Sequence, residues 1–143
     1  MVAKQLSIFI ENRQGRLHEV LDVLKKNHVN ILSLSLADTT EYGLLRLIVN
    51  DPELGKAKLT EAGFSTMLSD ILVIKIEHKA GSLQGLLENM SDKGINIEYM
   101  YGLSVDGDDA FVVMKTSDVE EAIMILEKEG ISTLSCEDIK KLK

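Results

Sequence analysis

The stretch Leu6-Ser7-Ile8-Phe9-Ile10-Glu11-Asn12-Arg13-Gln14-Gly15-Arg16-Leu17 returns sixty-six positions later as Leu72-Val73-Ile74-Lys75-Ile76-Glu77-His78-Lys79-Ala80-Gly81-Ser82-Leu83. Leu6, Ile8, Ile10, Glu11, Gly15 and Leu17 recur unchanged. The ungapped match continues through Leu21 and Leu87 to Asn30-Ile31 and Asn96-Ile97. After one inserted residue the register resumes, pairing Asp51 with Asp118, Leu59 with Leu126, Gly63 with Gly130, and Ser65-Thr66 with Ser132-Thr133. The chain is a duplication of one unit of about 67 residues.

Each unit reads as strand, helix, strand, strand, helix, strand. Leu6, Ile8 and Ile10 alternate with other residues, the pattern of a half-buried strand, and Leu17, Val20, Leu21 and Leu24 then form one helical stripe at i, i+3, i+4 and i+7. Leu72, Ile74 and Ile76 followed by Leu83, Leu86, Leu87 and Met90 repeat both signals. The first helices are expected to stop near Asn27-His28 and at Gly94, a favoured left-handed terminator. Strands Ile31–Leu36 and Ile97–Val105 follow, with turns at Asp38–Glu41 and Asp106–Asp109 leading into Leu44–Val49 and Ala110–Thr116. Asp51-Pro52-Glu53 opens the second helix of the first unit with an N-cap and a harmless proline. Its apolar stripe, Leu54 and Ala57, is thinner than Val119, Ala122, Ile123 and Leu126, so this helix is expected to be the looser. Final strands are expected near Ser65–Leu68 and Ser132–Cys136. Asp70 passes into Ile71 without a linker, which divides the chain into domains 1–70 and 71–143 that should lie side by side.

A βαββαβ order with right-handed crossovers folds into a four-stranded antiparallel sheet with both helices on one face, the ferredoxin-like sandwich of the α+β class. At about 67 residues each copy is marginal alone, and burial against its twin or another molecule is expected to add stability.

Composition narrows the function. With 45% hydrophobic and 27% charged residues the chain is a compact globule, and no apolar run approaches the length of a membrane span. Neither export nor membrane insertion is expected; the reading is cytoplasmic. A net charge of −7 has the wrong sign for binding phosphate backbones, and an aromatic content of 4% supplies few stacking platforms, so nucleic acid is not an expected partner. A single cysteine, Cys136, forms neither an internal disulfide nor a thiolate cluster, and His18, His28 and His78 show no metal spacing. No cofactor or metal is expected.

The turn Glu11–Leu17, repeated as Glu77–Leu83, carries the chemistry. A glycine between strand and helix removes the side chain that would block approach to the helix's first backbone N–H groups, where the dipole favours an anion such as a carboxylate. Any strand-to-helix turn wants a flexible residue, but here Gly and Leu recur together with Asn-Ile beyond the helix. At these residues the chain resembles the ACT domains, small βαββαβ regulatory modules that bind amino acids. Their pattern is a polar or acidic pair, a basic residue, Pro, Gly, any residue and Leu, with Asn-Ile on the second strand. Both halves fit, except that Gln14 and Ala80 replace the proline and His78 stands where the first copy has Asn12.

The resemblance implies two domains paired side by side into one continuous antiparallel sheet, with helices on one face and ligands at the shared interface. Carried over, it implies one site from Asn12, Arg13, Gln14, Gly15, Arg16 and Leu17 facing Asn96, Ile97, Glu98, Tyr99 and Met100. The pseudo-symmetric site takes His78, Gly81, Ser82 and Leu83 with Asn30, Ile31 and Leu32. The first, with Tyr99 and Met100, is the favoured pocket, although Tyr99 and Tyr101 also read as one sheet face at period two. An amino acid's ammonium would need acceptors such as Asn12, Asn96 or Glu98, because unpaired buried charges are too costly. The expected function is a non-enzymatic, homodimeric amino-acid sensor that allosterically regulates a partner enzyme or regulator. The alternatives are a ligand-independent interaction scaffold for a partner enzyme and an acylphosphatase-like hydrolase using Arg13 and Arg16, for which no nucleophile or base stands out.

Overall fold

The computed structural model describes residues 2–38, 42–76, 80–103 and 110–141. The turn expected at Asp106–Asp109, and that at Asp38–Glu41 beyond Asp38, lie outside them. The elements run β1 (Ala3–Glu11), α1 (Arg16–Lys26), β2 (Ile31–Asp38), β3 (Tyr42–Val49), α2 (Pro52–Glu61), β4 (Ser65–Ile76), α3 (Ser82–Asp92), β5 (Ile97–Leu103), β6 (Ala110–Thr116), α4 (Val119–Lys128) and α5 (Cys136–Lys140). The chain divides into two compact units, Lys4–Ser69 and Asp70–Lys143 with Met1–Ala3. The division falls inside β4, where Ser69-Asp70 is strand rather than a break between two strands.

In the first unit β3 lies between β1 and β2, antiparallel to both. Leu6, Ile8 and Ile10 stand opposite Leu47, Leu45 and Gly43. They share one buried cluster with Val20 and Leu24 of α1, Leu59 of α2 and Phe64. Since alternate strand residues share a face, both helices cover the same side of this sheet. The second unit repeats the plan. β6 lies between β4 and β5, Leu72 and Ile74 stand opposite Met114 and Val112, and the cluster takes in Leu86 and Met90 of α3 with Ala122, Ile125 and Leu126 of α4. The chain thus carries two tandem βαββαβ-type units of the expected class.

The second helix of the first unit, whose apolar stripe is thin, makes a close approach to the sheet. Gly55 is itself buried, and a Cβ there would stand 3.0 Å from Leu6 Cδ2, so α2 approaches β1 through a glycine instead of through bulky side chains. The last strand shrinks to one bridge, Thr133 opposite Ile74, with the Leu134 N–H donating to the Val73 carbonyl at 2.8 Å. Cys136 instead opens α5, because Ser135 and Asp138 form a reciprocal capping box that starts a helix. The hydrogen bonds from the Ser135 backbone and hydroxyl hold the Asp138 carboxyl below its ordinary value. A lowered folded-state pKa adds stability above the unfolded value and loses it as pH falls through the folded one. Acidification into that range is therefore expected to fray α5 selectively, read as amide exchange at Ile139 rising before that of Leu126.

Copies that fill equivalent positions differently yield direct tests. His28 holds φ 58° where the second unit has Gly94 at φ 77°. The buried Thr116 hydroxyl finds no partner among the described residues, whereas its counterpart Val49 is buried and apolar. Thr116→Val is expected to raise unfolding stability by about 1–2 kcal/mol. His28→Gly, which removes a Cβ from a left-handed position, is expected to add about 1 kcal/mol. Both are read from urea melts.

Candidate functional site

Gly15 and Gly81 sit at the N-caps of α1 and α3 with φ 90° and 87°, and neither helix has a side-chain cap. The first rung of each helix is made to that glycine. The Glu19 N–H donates to the Gly15 carbonyl at 3.0 Å and the Gly85 N–H to the Gly81 carbonyl at 2.9 Å. The amides of Leu17 and His18, and of Leu83 and Gln84, stand ahead of the helical ladder. The other helices solve this problem internally. Asp51 accepts from the Leu54 N–H, Asp118 from the Glu121 N–H and Ser135 from the Asp138 N–H. A Cβ built on Gly15 or Gly81 would meet nothing within 4 Å, so both glycines border open space. Glycine is required there by its positive φ and not by crowding.

The first turn is rich in paired charge. Arg13 Nε lies 3.1 Å from a Glu11 carboxylate oxygen, both well exposed. Arg16 Nη1 donates to Glu19 at 2.6 Å, and its guanidinium stacks over Phe64 at 4.5 Å from the ring centroid. Both arginines therefore already face carboxylates, an arrangement that adds no observation in favour of acyl-phosphate chemistry. Asn12, Gln14 and Gly15 are exposed, whereas Leu17 packs against its own unit's core. At the second turn Gly81 is exposed and Ser82 half-buried, and His78 lies outside the described residues. An open groove of about 570 Å³ runs along α3 from Leu83 past Gln84, Leu87 and Glu88 to Ser91.

The Asn-Ile steps are tied down by their backbones. The Asn30 N–H donates to Asn50 Oδ1 and its carbonyl accepts from the Asn50 N–H, at 2.9 and 3.1 Å. Asn96 makes the same pair with Ser117 at 3.0 and 2.9 Å. Both asparagines and Glu98 are exposed, while Ile31 and Ile97 rest on their own cores and Leu32 is buried. Register shifts fall between Ile31 and Ser33 and between Ile97 and Tyr99, the same place in each copy. Beyond the shift Met100 pairs with Met114 on the helix-covered face and packs against that core. Tyr99 and Tyr101 stand opposite Lys115 and Val113 on the other face, so Tyr99 and Met100 do not present to one side together. Within the first unit, the Gly15 turn and the Asn30 step lie beyond opposite ends of the eleven-residue α1, a helix about 16 Å long.

Neither the Arg16–Phe64 stack nor the Asn50 and Ser117 clamps were read from the sequence, since each joins residues far apart in it. Among the described residues no three His, Cys, Asp or Glu side chains gather as metal ligands, and no helix is long and apolar enough to cross a membrane.

Compared with known proteins, the chain matches the ACT domain pair over residues 1–143. Protein BT0572 from Bacteroides thetaiotaomicron is 37% identical and superposes with a TM-score of 0.93, covering 99% of this chain and 98% of that one. The fold is shared with the regulatory subunits of aspartate kinase from Thermus thermophilus and Thermus flavus. The first is 14% identical with a TM-score of 0.60 over 87% of this chain and 91% of that one; the second is 15% identical with 0.57 over 87% and 90%. No curated protein sequence matches.

Replacing Gly15 by Ala forces an L-residue into the left-handed region at a site with room for the methyl group. It is expected to cost about 1–2 kcal/mol, read as a lower urea midpoint at unchanged slope.

Proposed function

Starting from the fact that this chain belongs to the ACT domain pair family, we propose that it is a non-catalytic cytoplasmic regulator that senses a free amino acid at the interface between its two ACT-like domains. The membership supports a regulatory, small-molecule-binding role. The carrying observation is the pair of helix starts at Gly15 and Gly81 that, among the described residues, have no side-chain cap, where the other three described helices are capped by side chains. A ligand carboxylate is the acceptor such amides lack, and the helix dipole favours it.

In this reading Asn12–Leu17 works with Asn96–Met100, and His78–Leu83 with Asn30–Leu32, the domains pairing into one continuous sheet. The separation of turn and Asn-Ile step within one unit supports this, because a ligand of amino-acid size does not span a helix about 16 Å long. Of the first set, Asn12, Gln14, Asn96 and Glu98 are exposed and carry side-chain oxygens able to accept from an ammonium. Ligand that bridges two surfaces favours their paired arrangement by mass action, and that shift is what a partner enzyme or regulator reads. A second reading, a ligand-independent scaffold or homodimer surface, draws on the exposed apolar side chains Phe9, Leu34, Leu36 and Tyr42.

Thermal melts with each of the twenty amino acids at millimolar concentration test the proposal. One or a few are expected to raise the midpoint by several degrees, since ligand at about 100 times its Kd adds about 2.7 kcal/mol. A flat response to all twenty rejects sensing. Concentration-dependent association under the same flat response selects the scaffold.

A further inference from the structure

Three residues that meet around the first turn are replaced together in the second copy. Arg16, Glu19 and Phe64 correspond to Ser82, Gly85 and Ile131. In the first unit the Arg16 guanidinium lies on the Phe64 ring at 4.5 Å, Nη1 donates to Glu19 at 2.6 Å, and four-fifths of the side chain is buried. Phe64 belongs to the buried core and follows α2, so a residue at the start of α1 is fastened to the opposite end of the unit's sequence. The buried Arg16 Nε has no partner among the described residues, so the stack and the ion pair must offset its desolvation. The three counterparts cannot build this arrangement. Ser82 carries no charge, Gly85 no side chain, and α3 no acid in its first turn.

We infer that Arg16 is a positioning residue that keeps the Gly15 turn preformed, so that the two turns of the duplicated chain hold an amino acid unequally, the first more tightly. The clamp follows from the geometry of the first unit alone; its consequence for affinity rests on the amino-acid reading. Arg16 acts in two ways. It fixes the first residue of α1, so the amides behind Gly15 need no ordering when a carboxylate arrives, and preorganisation raises affinity by removing that cost. It also neutralises Glu19, whose carboxylate would otherwise repel an incoming anion. The second turn pays the ordering cost on binding.

Amide exchange and titration of the full-length protein by NMR decide it. The probe is a dilution series of an equimolar mixture of the twenty amino acids. Without ligand, the Glu19 amide is expected to be protected about tenfold more than that of Gly85 after correction for intrinsic rates. Arg16→Ser and Phe64→Ile should each remove that difference, and Arg16→Lys, which keeps charge but loses the planar stack, should leave an intermediate value. On titration the Leu17 and His18 amides should respond at lower concentration than those of Leu83 and Gln84. Arg16→Ser should move the first pair's response to a concentration at or above that of the second without moving the second, a change that general destabilisation would not produce. Equal protection in the wild type, or protection unmoved by Arg16→Ser, overturns the clamp. A clamp found with the second turn responding first overturns the positioning role. Protection as expected with no response at either turn leaves the clamp standing and rejects amino-acid binding, so the two failures are distinct.

Discussion

An α-helix cannot satisfy its own first amides, and the helices of this chain differ in where that deficit is left open. Three helices close it with Asp51, Asp118 and Ser135. Two leave it beside a left-handed glycine facing open space. Against a serine or aspartate cap, glycine gives up only a few tenths of a kcal/mol, and at φ 90° and 87° it is the residue that fits without strain. The same open start recurs in both halves of the duplicated chain.

The rest of each unit serves to hold that turn still. Period-two burial of Leu6, Ile8 and Ile10, and of Leu72 and Ile74, seats the strand that delivers the glycine. Val20 and Leu24, or Leu86 and Met90, seat the helix that leaves it. The Asn50 and Ser117 clamps fix the far end of the same helix-strand step. The halves differ at residues that touch the turn or stop the helix, and also at buried positions, where Gln5, Ser7 and Thr116 stand against Ile71, Val73 and Val49.

Much of this was legible because it is local and periodic. The duplication, the strand alternation, the helical stripes and the special glycines all announce themselves within a dozen residues. What escaped notice is either non-local or competes with a stronger local signal. Arg16 and Phe64 are separated by two strands and two helices, and nothing in either neighbourhood names the other. Ser135 through Asp138 carries a capping box, but its match to the end of the first copy favoured a strand, and the short helix won because its cap is satisfied twice over. The repeat divides the chain at Asp70-Ile71, and β4 runs through that point without a break. Of the candidate site, the turn glycines were readable, whereas the faces taken by Tyr99 and Met100 depended on a register shift no alternation rule anticipates.

That shift occupies the same step in both halves, at Leu32 and at Glu98, although the side chains there have nothing in common. An extra residue in a ladder moves every position beyond it to the opposite face. In each copy the strand therefore turns over just past the Asn-Ile step, so what the following side chains face is set by that kink and not by their own character.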